Sequence, residues 1–406
     1  MGSERRVQDV FLVGGLRSHL GLQNGIFKNV PPEKLGAALL RQLCIRCPAA
    51  REAQMILGGN AVGSGGNLTR LMALTAGFPV ETPALTLDMQ CASALGALSL
   101  AWGKIASGQL DVVLCGGVES SSLQPRRVYQ PWDSRYTPEG YMTAQFSPGT
   151  HSPRAMLEGA ERTAQVYGVP REELDSWAVR SHRKAAQAAE EGRLEPWVVS
   201  LFGSTRDESI RPRMNGKLAR RMPTLFTREE TAALLTPEER NLAGDCTPTL
   251  TAANACLTQD GAAFLVLASG RQLAAWRRAG KPVRPLARIL HGTEAGVDPR
   301  FSPLGALTVG EKILEETGLP VEAIDDFEYN EAFGVISALF ARQYPTCTDR
   351  YLSLGGALAY GHPYGCSGAV LVLHALASLE GQEGKRALCA IAGAGGTGAG
   401  VLLETL

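Results

Sequence analysis

Short apolar runs alternate with amphipathic or small-residue stretches along most of the chain, the pattern of an α/β fold. Residues 7–13 read as a first apolar strand, ended by Gly14-Gly15. Over 32–44, Leu35, Leu39, Leu40 and Leu43 fall on one side, which predicts an amphipathic helix. A short strand at 55–57 leads through the glycine-rich turn GGNAVGSGGN to a helix over 68–76. The stretch 85–122 reads apolar strand, cysteine, small-residue helix, apolar strand, glycine pair. Residues 123–153 break the pattern: they are rich in Pro, Gly, Tyr, Arg and Ser and have little periodicity. An irregular segment of that length inside a compact domain is usually a functional insertion. Pro170 then opens a helix over 170–192, with acids in its first turn and Leu174, Trp177, Ala178, Ala185 and Ala189 along one face. Strands at 262–268, 287–290 and 327–329 and a helix over 308–317 restore the α/β alternation.

The last third repeats the first. GHPYGCSGAVLVLHALASLEGQEGKRALCAIAGAGGTG (361–398) follows the order of CASALGALSLAWGKIASGQLDVVLCGG (91–117). Each unit has a reactive residue at a strand-to-helix junction, an Ala/Leu helix, a short turn, and a strand ending in glycines. Aligning Gly96-Ala97 with Gly368-Ala369 superposes the two. A unit that occurs twice is a duplicated half, not a solenoid. Packed together, such halves put Cys91 and His362 at equivalent helix starts that face one site.

Composition narrows the function. The chain has 406 residues, 45% of them hydrophobic, with 40 Lys plus Arg against 40 Asp plus Glu. That is room for two or three domain-sized units and a large core. A zero balance gives no overall pull towards nucleic acid or a membrane surface, although a local basic patch stays open. No apolar run reaches the about 18 residues of a membrane span, and MGSERRVQDVFLVGG lacks the apolar centre of a signal peptide. Nine scattered cysteines, an odd number, indicate reduced thiols and a cytoplasmic location.

Cys91 sits where a strand hands over to a helix. Unpaired N–H groups and the dipole at a helix start favour thiolate over thiol, and the thiolate is the nucleophile. The alternative is a small buried hydrophobe. His362, crowded by glycines and fixed by Pro363, is placed to activate such a thiol. Asn330 and Glu331 follow a strand in YNEAFG, as an oxyanion donor or as a helix cap. Arg211, Arg213, Lys217, Arg220 and Arg221 form either a solvated face or an anion site for a nucleotide phosphate. Cys44 and Cys47 make a lone CxxC pair, read as core packing because no second ligand pair accompanies it. GGNAVGSGGN lacks a phosphate-loop lysine, and AGAGGTGAG (392–400) is followed by the chain end and not by a βαβ unit. Neither is a nucleotide fingerprint. Bare glycine N–H groups in the second can approach a developing negative charge.

With Cys91, GGVES (116–120), NEAFG (330–334), GHPYGCSG (361–368) and the terminal glycine loop in order, the chain resembles a thiolase along nearly its whole length. TAAN followed by Asp260-Gly261, and SPRAMLEGAE (152–161), extend the likeness; TAAN and IRP look more like the fatty-acid-oxidation branch. The resemblance implies two βαβαβ-type halves in a five-layer α-β-α-β-α arrangement. The first half would comprise 1–121 and 250–272, an inserted loop domain 122–249, and the second half 273–406. It implies an acyl-CoA C-acyltransferase with no bound cofactor or metal, acting on coenzyme A thioesters as a homodimer or homotetramer. Cys91 would carry the acyl group and His362 would activate it. His362 with Asn330, through a water, would form one oxyanion hole, and the N–H groups of Cys91 and Gly395 or Gly396 the other. Met156, Arg211, Arg220, Arg221, Cys256 and Phe333 would line the coenzyme A path.

The departures matter as much. Thiolases usually carry a second cysteine in Cys-x-Gly-Gly-Gly, which moves a proton at the α-carbon. Here Ala392 takes its place and Ala394 that of the first glycine. Cys389 lies upstream on a strand, Ala332 excludes the position another branch uses, and Cys366 is a candidate replacement one helical turn beyond His362. Cys256 stands where serine is usual, and Leu307-Thr308 where Gly-Pro is usual. An enzyme with a single cysteine, passing the acyl group to another acceptor or to water, is therefore the alternative. An inactive acyl-CoA-binding subunit is a third reading, against which the complete Cys91, His362 and Asn330 set speaks.

Overall fold

The computed structural model describes residues 8–149 and 152–406; Val7 of the first expected strand lies outside them. In chain order the main strands are β1 (Val10–Ser18), β2 (Met55–Gly59), β3 (Ala84–Leu87), β4 (Val112–Ser120), β5 (Gln259–Ser269), β6 (Ala287–Gly296), β7 (Asp326–Tyr329), β8 (Arg386–Gly393) and β9 (Thr397–Thr405). They hydrogen-bond in the order β3-β2-β4-β5-β1-β6-β9-β8-β7. The two halves meet at β1 and β6, through Val10–Ile289, Phe11–Arg288 and Leu12–Ala287.

The duplication is visible strand by strand. In the first half β2 and β4 run parallel and β4 and β5 antiparallel. In the second, β7 and β8 run parallel and β8 and β9 antiparallel. The partner of β3 has shrunk to one bridge, Phe327 with Tyr351.

Alternation along the strands builds five layers. Val113 and Cys115 of β4 and Ala387, Cys389 and Ile391 of β8 face a central core holding α3 (Ser93–Ala106) and α13 (Ser367–Ser378). The neighbours Val112 and Leu114 face outward to α1 (Pro32–Arg46) and α2 (Leu68–Ala76). Leu388 and Ala390 face outward to α10 (Gly305–Thr317) and α11 (Gly334–Gln343). Small residues bring the central helices together: a Cβ on Gly368 would stand 2.7 Å from Leu95 Cγ. Their starts, bearing Cys91 and His362, thus converge.

Gly14-Gly15 does not end β1 as expected. Both lie inside it, because a Cβ would meet Cys47 Sγ at 2.8 Å in one case and Leu373 at 2.7 Å in the other. Helices α4 (Ala155–Val166), α5 (Arg171–Glu190), α6 (Gly216–Arg221), α7 (Arg228–Leu234) and α8 (Pro237–Ala243) intervene between β4 and β5. The irregular segment before them closes on itself: Arg127 and Tyr141 exchange backbone hydrogen bonds, Tyr129 stacks on Tyr141 at 4.8 Å, and Arg135 lies over Tyr129. Among the described residues no helix is long and apolar enough to cross a membrane.

Candidate active site

The chain makes a sharp turn to present Cys91. Gln90 has φ +53, a left-handed conformation that costs a non-glycine residue of order 1–2 kcal/mol. Asp88 Oδ1 holds it by accepting from the Gln90 backbone N–H (2.9 Å), and Ser93 Oγ accepts from Met89 N–H (2.9 Å) while donating to Gln90 O (2.6 Å). Cys91 then lies just before α3, bordering a cavity of about 360 Å³ with His362, Met156, Cys256, Phe333 and Tyr364.

The sulfur is not a resting thiolate, contrary to expectation. Burial pushes the Cys91 thiol up to about 12, against the opposing pull of the Cys91 and Ala394 N–H groups. Burial outweighs the helix end because Cys91 is only 7% exposed. His362 is its counterpart: burial holds the imidazole down at about 3, so it is neutral at pH 7 and free to take a proton. The ultraviolet absorbance of a thiolate, read as the difference between the unaltered enzyme and Cys91→Ala, should therefore be absent from pH 6 to 9. A thiolate signal in that range would instead reveal a preformed thiolate–imidazolium pair.

Second-half elements orient the histidine. Ser367 Oγ donates to Pro363 O (2.9 Å), so it accepts from His362 Nδ1–H (2.6 Å). That fixes the proton on Nδ1 and makes Nε2 the unprotonated nitrogen, which accepts a long hydrogen bond from Asn330 Nδ2 (3.4 Å). Asn330 borders the cavity only through this histidine, and it does not cap α11. Neither does Glu331, whose carboxylate accepts from Ser181 and from Ser337 Oγ, joining α5 to α11.

Glu119 of β4 ties the loop of His362 to the first half. Its carboxylate accepts from Asn60 Nδ2 (2.7 Å), Ala61 N–H (2.9 Å) and Gly365 N–H (3.0 Å). Glu119→Ala would strand these buried donors at about 1–3 kcal/mol each. The melting temperature of a chain this long should fall by about 4–10 °C, read by calorimetry. Nothing in its spacing along the sequence marks this glutamate as a joint.

The other expected site residues divide. Met156, Cys256 and Phe333 line the cavity with Cys91. Arg211, Arg220 and Arg221 do not; they are exposed on the inserted segment. The arginines that do border the cavity, Arg127 and Arg154, were not singled out, since neither stands in a basic run. In the glycine loop the hairpin register puts Ala394, not Gly396, at the cavity. Gly396 N–H donates to Ser302 Oγ (3.0 Å), and a Cβ on Gly395 would stand 2.7 Å from Phe146 O. Cys366 does not replace the missing thiol. A 3₁₀ turn, Tyr364–Cys366, separates it from any helix shared with His362, and its side chain is wholly buried in the central core. Cys389 is likewise buried, and Cys47 Sγ lies 3.6 Å from Val13 O as a packed thiol. All nine cysteines are free.

A duplicated, five-layer α/β fold with a cysteine and a neutral histidine opening onto one cavity defines a class of acyl-transferring enzyme. Comparison with known proteins specifies it. Residues 10–271 match the thiolase N-terminal domain and residues 283–405 the thiolase C-terminal domain. The chain is 32% identical over 419 residues to the 3-oxoadipyl-CoA/3-oxo-5,6-dehydrosuberyl-CoA thiolase of Escherichia coli, covering 98% of this chain and 100% of that one. It is 30% identical over 396 residues to the cytosolic acetyl-CoA acetyltransferase of Mus musculus (95% and 96% covered). The human mitochondrial 3-ketoacyl-CoA thiolase, solved in complex with CoA, superposes with a TM-score of 0.85 at 25% identity, covering 99% of each chain. The chain belongs to the thiolase family. It is an acyl-CoA C-acyltransferase that works on coenzyme A thioesters.

Proposed function

We propose that this enzyme cleaves or forms 3-ketoacyl-CoA through an acyl group held on Cys91. The observation that carries this reading is the pairing of Cys91 with a neutral, Nδ1-protonated His362 on one cavity. His362 Nε2 takes the thiol proton as sulfur attacks the keto carbon. The N–H groups of Cys91 and Ala394, which already favour negative charge on the sulfur against the effect of burial, hold the first oxyanion. His362 with Asn330 holds the thioester carbonyl, through a water. Met156, Cys256 and Phe333 receive the pantetheine arm, and the exposed Arg211, Arg220 and Arg221 meet the nucleotide phosphates. The segment 122–249 serves as the coenzyme A side of the molecule.

Two further assignments belong to this reading. A homodimer or homotetramer is supported by the unpaired edge strand β3, where Leu85 is 44% exposed, and by Trp132 at 83% on the irregular segment. A cytoplasmic location is supported by nine free thiols.

Ala392 favours a second reading, an enzyme that loads an acyl group without making or breaking a C–C bond. One experiment separates the two. Incubation with acetyl-CoA and longer acyl-CoAs should add one acyl mass per chain on Cys91. Subsequent assay with a 3-ketoacyl-CoA and CoA should show cleavage. An adduct without cleavage supports the second reading, and no adduct under any condition contradicts both.

A further inference from the structure

Breaking the C–C bond of a 3-ketoacyl thioester leaves an enolate at the α-carbon, and that carbon must receive a proton. Ala392 offers none. Another group on the cavity around Cys91 must therefore give and retake one. Ser121 donates to Gln259 O (3.0 Å) and Thr258 to Gln23 Oε1 (3.0 Å), and aliphatic hydroxyls are poor acids in any case. Arg127 and Arg154 carry guanidinium groups, which have no acceptor site with which to retake a proton. His362 already holds the Cys91 proton during this step. Cys256 and Tyr364 remain.

Tyr364 is the better placed. Its ring meets His362 edge to face, centroids 4.9 Å apart at 85°, so it stands beside the group that would hold the thioester carbonyl next to the α-carbon. Among the described residues its hydroxyl has no hydrogen-bond partner, while the ring is half-buried on the cavity wall. Burial first, and then the neighbouring Cys91 and Cys256 thiols, push the phenol well above its usual value. A phenol so raised is still a far stronger acid than the α-carbon of a thioester, and its phenolate is a strong enough base to deprotonate a thiol.

We propose that Tyr364 is the α-carbon proton carrier of this enzyme, doing with a phenol what Ala392 cannot. This rests on the ketoacyl-CoA reading above. Cys91 sulfur, its proton passed to His362 Nε2, bonds to the keto carbon. The bond between the keto carbon and the α-carbon breaks, its electron pair stays on the α-carbon, and the Tyr364 O–H proton moves there to complete acetyl-CoA. The phenolate left behind faces the His362 imidazolium. Incoming CoA gives its thiol proton to that phenolate, and its sulfur attacks the acyl carbon. The bond to Cys91 breaks, and His362 returns its proton to the Cys91 sulfur. Every proton is accounted for, and no further reagent is needed.

Hydrogen–deuterium exchange at the acetyl group of acetyl-CoA in D₂O, read by mass spectrometry, isolates this step from acyl loading. Three chains are compared: the unaltered enzyme, Tyr364→Phe and Cys256→Ser. The proposal expects Tyr364→Phe still to load acyl groups on Cys91 from acetyl-CoA, more slowly but by no more than about tenfold, because a thiol as acidic as that of CoA can depart as the thiolate, while exchange and ketoacyl-CoA cleavage fall about 10²–10⁴-fold because a carbanion cannot be left unprotonated. Cys256→Ser, on the pantetheine path, can change the affinity for acetyl-CoA, but at saturating acetyl-CoA it should exchange at least about tenfold faster than Tyr364→Phe. Exchange retained in Tyr364→Phe, or lost in Cys256→Ser while Tyr364→Phe keeps it, overturns the proposal. If the unaltered enzyme loads acyl groups yet neither exchanges nor cleaves, the ketoacyl-CoA reading itself fails, and the proposal with it.

Discussion

Cys91→Ala should lose the acyl adduct completely and lower ketoacyl-CoA cleavage by about 10⁴-fold or more, equivalent to about 5.5 kcal/mol of transition-state stabilisation. The folded protein should scarcely notice. Cys91 is small and sits beside Ala92 and Ala94 in the central core, so its truncation costs on the order of 1 kcal/mol. Intact mass after incubation with acyl-CoA reads the first effect, and a melting curve the second. Adduct of equal yield in Cys91→Ala would place the acyl group on another residue, with Cys256 the next thiol on the cavity.

His362→Ala should slow acylation of Cys91 by about 10²–10⁴-fold and should change its pH dependence. In the unaltered enzyme the thiol proton passes directly to a neutral imidazole, so loading is nearly flat from pH 6 to 9. Without that base the reaction must use thiolate that already exists. A thiol raised to about 12 supplies only about 10⁻⁵ of it at pH 7, and about tenfold more with each pH unit. The variant should therefore recover steadily as pH rises. Ser367 keeps its bond to Pro363 O in the variant, so the loop itself need not collapse. A uniform loss at every pH would assign His362 to binding and not to proton transfer.

How far the sequence reaches can be judged residue by residue. The duplication was legible because both halves keep a reactive residue, a small-residue helix and a glycine-ended strand in one order. Those same small residues let α3 and α13 touch. Met156, Cys256 and Phe333 were placed by motif and do line the cavity. What escaped depends on three-dimensional register. Which amide of AGAGGTG faces the sulfur follows from the β8–β9 hairpin, where Ala392 pairs with Gly398 and Gly393 with Thr397, and no linear pattern reveals it. The ionisation of Cys91 was misread because a helix start is visible in a sequence, whereas the depth of burial that opposes it is not. Gln90 carries no sign of a left-handed φ, and Glu119 no sign that its carboxylate gathers donors from two distant loops. Glu331 could be read as a cap until the hydroxyls of Ser181 and Ser337 are found around it.

The most direct test of the acyl-enzyme withholds the second substrate. Mixed with a 3-ketoacyl-CoA in the absence of free CoA, the enzyme should release one equivalent of acetyl-CoA per site in a single burst. Rapid quench and peptide mapping should then find the shortened acyl group on the peptide that contains Cys91, and added CoA should discharge it as acyl-CoA. Cleavage that waits for CoA, with no burst and no mass on that peptide, would contradict an acyl group carried on Cys91.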